Sequence, residues 1–191
     1  MFKDFEGIIK PDSAEAKLLA AIDPERVPQH IAVIMDGKPR IFGHRAGSDS
    51  VRAIIDTCAR LGVKAVTLYA FSTENWKRPK TEIAGLMQML KRFIRSELKE
   101  VHANNIKFNA IGDLYALPPD VQAEITAAEQ KTWDNDGMTM CVALNYGGRA
   151  EIVRAAILAY QDIERRNDVI DHLREEDIAR NLYTSQLPEV D

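Results

Sequence analysis

Four short apolar runs, each stopped abruptly by polar residues or glycine, constrain this chain more than any other feature. Residues 31–35 (Ile-Ala-Val-Ile-Met) stop at Asp36-Gly37, and residues 65–71 (Ala-Val-Thr-Leu-Tyr-Ala-Phe) stop at Ser72-Thr73-Glu74-Asn75. Both read as strands buried on two faces. Residues 106–111, ending at Gly112-Asp113, and residues 138–144, ending at Asn145, repeat the arrangement. Between the runs the apolar period changes to about 3.6 residues, the signature of an amphipathic helix. It is carried by Val51, Ile54, Ile55, Cys58, Ala59 and Leu61, and again from Ile83 through Leu86, Met87, Leu90, Phe93, Ile94 and Leu98 to Val101. Residues 119–133 and 149–163 continue the pattern. Strand and helix alternate without repeat or low-complexity linker, which predicts a single α/β domain over 1–191 with a mainly parallel central sheet flanked by helices.

Composition sets the outer limits. Of 191 residues, 46% are hydrophobic, enough to fill a core, and 28% are charged, enough to solvate a surface. Lys and Arg number 25 against 29 Asp and Glu, so no basic excess is available to neutralise a nucleic-acid backbone. The two cysteines, Cys58 and Cys141, lie in apolar stretches far apart, which suits buried reduced thiols and a reducing compartment. No window approaches the roughly 18 to 20 apolar residues of a membrane helix, and the opening MFKDFEGIIKPDS has no signal-peptide apolar region. The expectation is a cytoplasmic protein.

Ligands of open parallel sheets gather at the carboxyl ends of the strands. That directs attention to Asp36-Gly37, to residues 72–78 and to residues 145–148. Asp36 with Gly37 offers one carboxylate and an approachable backbone, suited to a divalent cation or an anion, although a plain turn is the commoner reading of an isolated Asp-Gly. Arg40, His44 and Arg45 follow at once, just before a helix start, so phosphate binding is the natural hypothesis against solvated loop cations. Residues 71–79 concentrate a hydroxyl, a carboxylate, an amide, an indole and two cations. Thr81 as a helix cap and Trp76 as a core aromatic explain part of that density, but not Ser72, Asn75 and Arg78 together. A P-loop, a GxGxxG and a Cys/His ligand cluster are all absent from the sequence. Leu86, Met87, Met89, Leu90, Phe93 and Ile94 give the long helix an apolar surface, wide for one face, that fits core packing or a cleft for a long flexible substrate.

Taken together, HIAVIMDG, PRIFGHRAG, TLYAFSTENWKRP and ALNYGGRAEIV resemble the cis-prenyltransferase family, over roughly residues 27–191. The resemblance implies an undecaprenyl diphosphate synthase-like fold and successive cis condensations of isopentenyl diphosphate onto an allylic diphosphate such as farnesyl diphosphate. It further implies Mg²⁺, a homodimer, and transient membrane association as product is released at the inner face. Carried onto this sequence, Asp36 would organise Mg²⁺ and diphosphate beside Gly37, while Arg40, His44 and Arg78 would contact diphosphate. Ser72 and Asn75 would assist proton removal, and Phe71, Glu74 and Trp76 would shape the site. Ionising an allylic diphosphate puts negative charge on the leaving group, which arginines and Mg²⁺ stabilise.

Two departures stand out. The family pattern continues after Asp-Gly with Asn-Gly-Arg-Trp and a basic stretch, whereas here Lys38 joins Gly37 directly to Pro39. It also continues past residue 191 into a strand, an Arg/Ser-rich segment and an acidic Mg²⁺ residue. A further loop between 37 and 39 and a further carboxyl-terminal segment are therefore expected. The rival readings are a non-catalytic prenyltransferase-like partner subunit, which would not need Asp36 and residues 72–78, and a polyprenyl-lipid-binding protein, which would need the apolar cleft but not the cations.

Overall fold

In the computed structural model, which describes residues 5–34 and 45–191, four strands form one sheet in the order β1-β2-β4-β3, every neighbouring pair parallel. β1 is His30–Ile34, β2 Ala65–Ser72, β3 Lys107–Ile111 and β4 Thr139–Tyr146. Parallel neighbours need crossover connections. These are α2 (Arg45–Leu61) between β1 and β2, α3 (Lys80–Ala103) between β2 and β3, and α4 (Pro119–Lys131) between β3 and β4. Ahead of them lies α1 (Ala14–Ala21), and after them come α5 (Gly148–Arg165) and α6 (Glu175–Ala179). The expected α/β architecture and all four expected strands are present.

Alternation along β4 divides the interior into two layers. Met140, Val142 and Leu144 face a large core with Val51, Ile55 and Cys58 of α2, Met87, Leu90, Phe93 and Ile94 of α3, and Val121, Ile125 and Ala128 of α4. Cys141 and Ala143 face a smaller cluster with Ile111, Tyr69, Tyr146, Tyr183 and Leu187. The buried α3 side chains recur at the spacing that the sequence pattern singled out, because one helical face meets the sheet. Both cysteines are free and buried; burial pushes the Cys141 thiol up to about 11.

Three details depart from expectation. β1 is only partly buried, and Ile34 is 84% exposed, since among the described residues β1 has a paired neighbour on one side alone. The long helix starts at Lys80 behind Pro79, with no side-chain cap, so Thr81 lies inside the first turn and does not cap it. Pro79, at φ −53°, sets the entry direction in its place. Finally, the β2–β4 register shifts between Tyr69 and Ser72, so that Ser72 comes to lie opposite Tyr146. Such irregularities redirect the side chains that follow.

Candidate active site

The end of β2 turns directly into a short 3-10 helix, Thr73–Lys77. Asn75 closes that turn: its Oδ1 accepts the Ser72 backbone N–H at 2.8 Å, and its carbonyl accepts the Arg78 N–H at 3.1 Å. With Oδ1 engaged as acceptor, the amide nitrogen of Asn75 remains its side-chain donor. Ser72 and Glu74 are exposed, and Phe71 is buried with the Trp76 ring edge-on to it at 5.2 Å between centroids. Arg78 pairs with Glu82 one helical turn on, Nη1 to Oε1 at 2.6 Å, and both side chains keep about a third or more of their surface in solvent. The structure thus brings Phe71, Ser72, Glu74, Asn75, Trp76 and Arg78 onto one strand end and the turn after it. Asp36, Gly37, Arg40 and His44 lie outside the described residues.

The neighbouring strand end is joined to this turn. Trp76 Nε1–H donates to Asn145 Oδ1 at 2.7 Å, and Asn145 Nδ2–H donates to the Asp113 carbonyl at 2.9 Å. Two close approaches make the junction possible, one of glycine to backbone and one of glycine to a side chain. At Gly112, φ +116°, a Cβ would fall 2.0 Å from the Leu144 carbonyl oxygen, and at Gly147 a Cβ would fall 2.6 Å from the Thr73 hydroxyl. At Gly112 a side chain would force the ends of β3 and β4 apart, whereas at Gly147 it would displace the Thr73 side chain.

Beyond Asn145, the Glu151 carboxylate is 6% exposed and takes two donors, the Tyr146 hydroxyl at 2.7 Å and the Tyr183 backbone N–H at 2.7 Å. Burial and then this carboxylate hold the Tyr146 phenol above its ordinary range. A cavity of about 820 Å³ opens here at the carboxyl ends of β3 and β4, bordered by Thr73, Trp76 and Asn145. Its charged lining is Asp113, Glu129 and Glu151 against Arg154 alone, the wrong sign for a bare diphosphate. Burial raises the Glu129 carboxyl, which accepts the Ala110 N–H at 3.1 Å. Sequence reasoning marked residues 145–148 as a strand end but missed Asn145 and Glu151 as organising side chains. The usable signal was a lone Asn between a buried strand and a Gly-Gly helix start.

The turn after β2, with Ser72, Asn75 and Arg78, is the part of this region whose chemistry suits a diphosphate ester. The undecaprenyl diphosphate synthase family model, Prenyltransf, matches residues 33–191. The chain belongs to this family. An isoprenyl transferase of Clostridium tetani is 45% identical over 200 residues, covering 100% of this chain and 77% of the relative. A ditrans,polycis-undecaprenyl-diphosphate synthase, (2E,6E)-farnesyl-diphosphate specific, of Aliivibrio fischeri is 45% identical over 175 residues, covering 86% and 68%. Among solved structures, lavandulyl diphosphate synthase from Lavandula x intermedia in complex with dimethylallyl diphosphate superposes with a TM-score of 0.78 at 34% identity, covering 84% of this chain and 73% of that one. Like other members of the undecaprenyl diphosphate synthase family, this chain is a prenyltransferase, a cis-isoprenyl diphosphate synthase, and its reaction is cis-prenyl chain elongation on prenyl diphosphate substrates. Among the described residues no helix is long and apolar enough to cross a membrane.

Proposed function

We propose that the enzyme elongates farnesyl diphosphate with isopentenyl diphosphate to a long polyprenyl diphosphate such as undecaprenyl diphosphate. The observation that carries this is the turn after β2, which presents Ser72, Asn75, Trp76 and Arg78 together at the carboxyl end of a parallel sheet. In this reading Arg78 holds the allylic diphosphate and, with Arg40 and His44, stabilises the charge that gathers on it as its bond to carbon breaks. Ser72 and the amide of Asn75 orient the isopentenyl unit from which a proton is lost. Phe71 and Trp76 wall the site, and Glu74 shapes its exposed rim.

Mg²⁺ held by Asp36, beside Gly37, is the cofactor of this reading; when bound it supplies charge neutralisation at the departing diphosphate. The assignment rests on a carboxylate that follows β1 by two positions in the sequence. Among the described residues no three metal-ligating side chains converge.

The growing chain would run between α3 and the sheet. Ala70, Phe71, Leu86, Met87, Leu90 and Leu144 line a crevice there of only about 10 Å³, so these side chains must part to admit prenyl units, and Met87 is the most adaptable of them. A homodimer is supported by the apolar stripe on α5, where Ile152, Val153, Ile157 and Tyr160 are 45–60% exposed. Release of so apolar a product calls for transient membrane contact.

The test is incubation with farnesyl diphosphate and labelled isopentenyl diphosphate, following diphosphate release and product length. Asp36→Ala should leave the melting temperature almost unchanged and collapse turnover. Near-normal turnover of that variant at saturating Mg²⁺ would remove Asp36 from its role.

A further inference from the structure

Among the described residues, Asn145 ties three strand ends together at once. It is 5% exposed, and its single amide accepts from the Trp76 indole and donates to the Asp113 carbonyl, while its own backbone carbonyl accepts the Asp113 N–H at 3.3 Å. Those partners belong to the turn after β2 and the turn after β3; Asn145 itself is on β4. The amide is suited to this because it accepts at one atom and donates at the other. A carboxylate in its place would face the Asp113 carbonyl, oxygen against oxygen. Asn145 also sits at φ +49°, a left-handed conformation in which Asn is tolerated and most side chains are strained.

Trp76 needs such an anchor. The residue is 38% exposed, and its other described ring contact is the edge-on approach to Phe71. A half-exposed indole at the end of a five-residue 3-10 turn would otherwise sample several side-chain orientations. We propose that Asn145 is a positioning residue for prenyl transfer, acting through Trp76 to fix the turn that carries Ser72, Asn75 and Arg78. It touches no reacting atom, and the inference rests on the reading of residues 71–78 as the substrate site.

The experiment uses Asn145→Gly, which keeps the left-handed backbone accessible but deletes the amide, and Asn145→Asp, which keeps the acceptor for Trp76 and sets a charge against Asp113. Both are made alone and with Trp76→Phe, in a Trp133→Phe background so that indole emission reports Trp76 only. Asn145→Gly should shift that emission to the red, raise its quenching by acrylamide and lower kcat/KM for the allylic diphosphate by roughly 10- to 100-fold, as misplacement of reacting groups does. Asn145→Asp should retain most of the emission. Trp76→Phe should lower kcat/KM similarly, and the double variant should be no worse than either single one. Additive losses would overturn the proposal, as would a folded Asn145→Gly with wild-type kinetics, or one with lost activity and unaltered emission. Should Asn145→Gly fail to fold, Trp76→Phe and Asn145→Asp decide: wild-type kinetics in Trp76→Phe overturns the inference. Arg78→Ala separates the two levels, since wild-type kinetics there would sink the site reading itself, whatever Asn145 does.

Discussion

Arg52 of α2 forks the carboxylate of Glu97 on α3, Nε to Oε2 at 2.6 Å and Nη2 to Oε1 at 2.9 Å. Ser96 Oγ adds a third bond to the same carboxylate at 2.9 Å, and the Glu97 side chain is 5% exposed against 44% for Arg52. The pair therefore locks two helices on one layer of the sheet with one partner still wet. Glu97→Ala should cost about 2 to 3 kcal/mol, below the figure for a fully buried pair because Arg52 can turn to water. Denaturant unfolding measures it. An unchanged midpoint would show that the fork contributes nothing net.

The Tyr146 phenol gives a pH dependence of definite sign. Burial first, and the Glu151 carboxylate second, raise its folded-state pKa. The folded protein keeps this proton after the unfolded chain, titrating near about 10, has released it. This component of stability is full below that pH and is lost as pH rises further. Wild type should lose stability more steeply than Tyr146→Phe in alkaline buffers. Parallel profiles for the two would contradict the assignment.

Arg78→Ala should lower kcat/KM for the allylic diphosphate by about 2 to 4 kcal/mol in activation terms, as loss of a transition-state donor does. Glu82 competes for the same guanidinium at 2.6 Å. Glu82→Gln should thus leave turnover intact and tighten binding of the diphosphate several-fold. Steady-state kinetics on both variants distinguishes a working arginine from a structural one.

Product length should respond to the α3 face more than rate does. Smaller residues at Leu86 or Met87, both lining the crevice against Ala70 and Leu144, would lengthen the product, and larger ones would shorten it. Chromatography of labelled products reads this directly. Identical lengths across stably folded variants would assign these side chains to core packing alone.

β2 and β4 were legible because strands buried on two faces need near-continuous apolar runs, and the helices because a single face of each meets the core. Met140, Val142 and Leu144 show why the run in β4 has no polar gap: the residues between them, Cys141 and Ala143, pack on the other layer. The turn at residues 72–78 was legible from its density of polar groups. Its anchorage was not, since Trp76 and Asn145 stand 69 positions apart and an amide between two partners has no local pattern. Glu151 was hidden for the opposite reason: an acid in the first turn of a helix is what solvent exposure also predicts, yet it is 6% exposed. Asp36, Gly37, Arg40 and His44 stand outside the described residues, so their roles rest on the sequence.

His30 opens β1 at 1% exposure with Nδ1 at 2.8 Å from the Pro188 carbonyl and Nε2 at 2.8 Å from the Thr67 hydroxyl. A carbonyl only accepts, so Nδ1 carries a proton and donates it to Pro188. The first of these bonds spans 158 positions. On a ribosome, β1 would emerge with one side of its histidine unsatisfied and stay so until Pro188, 158 positions later, had been made. Final seating of the first strand is then a late event, and the interval before it is when an exposed strand edge is open to chaperones or to a neighbouring nascent chain.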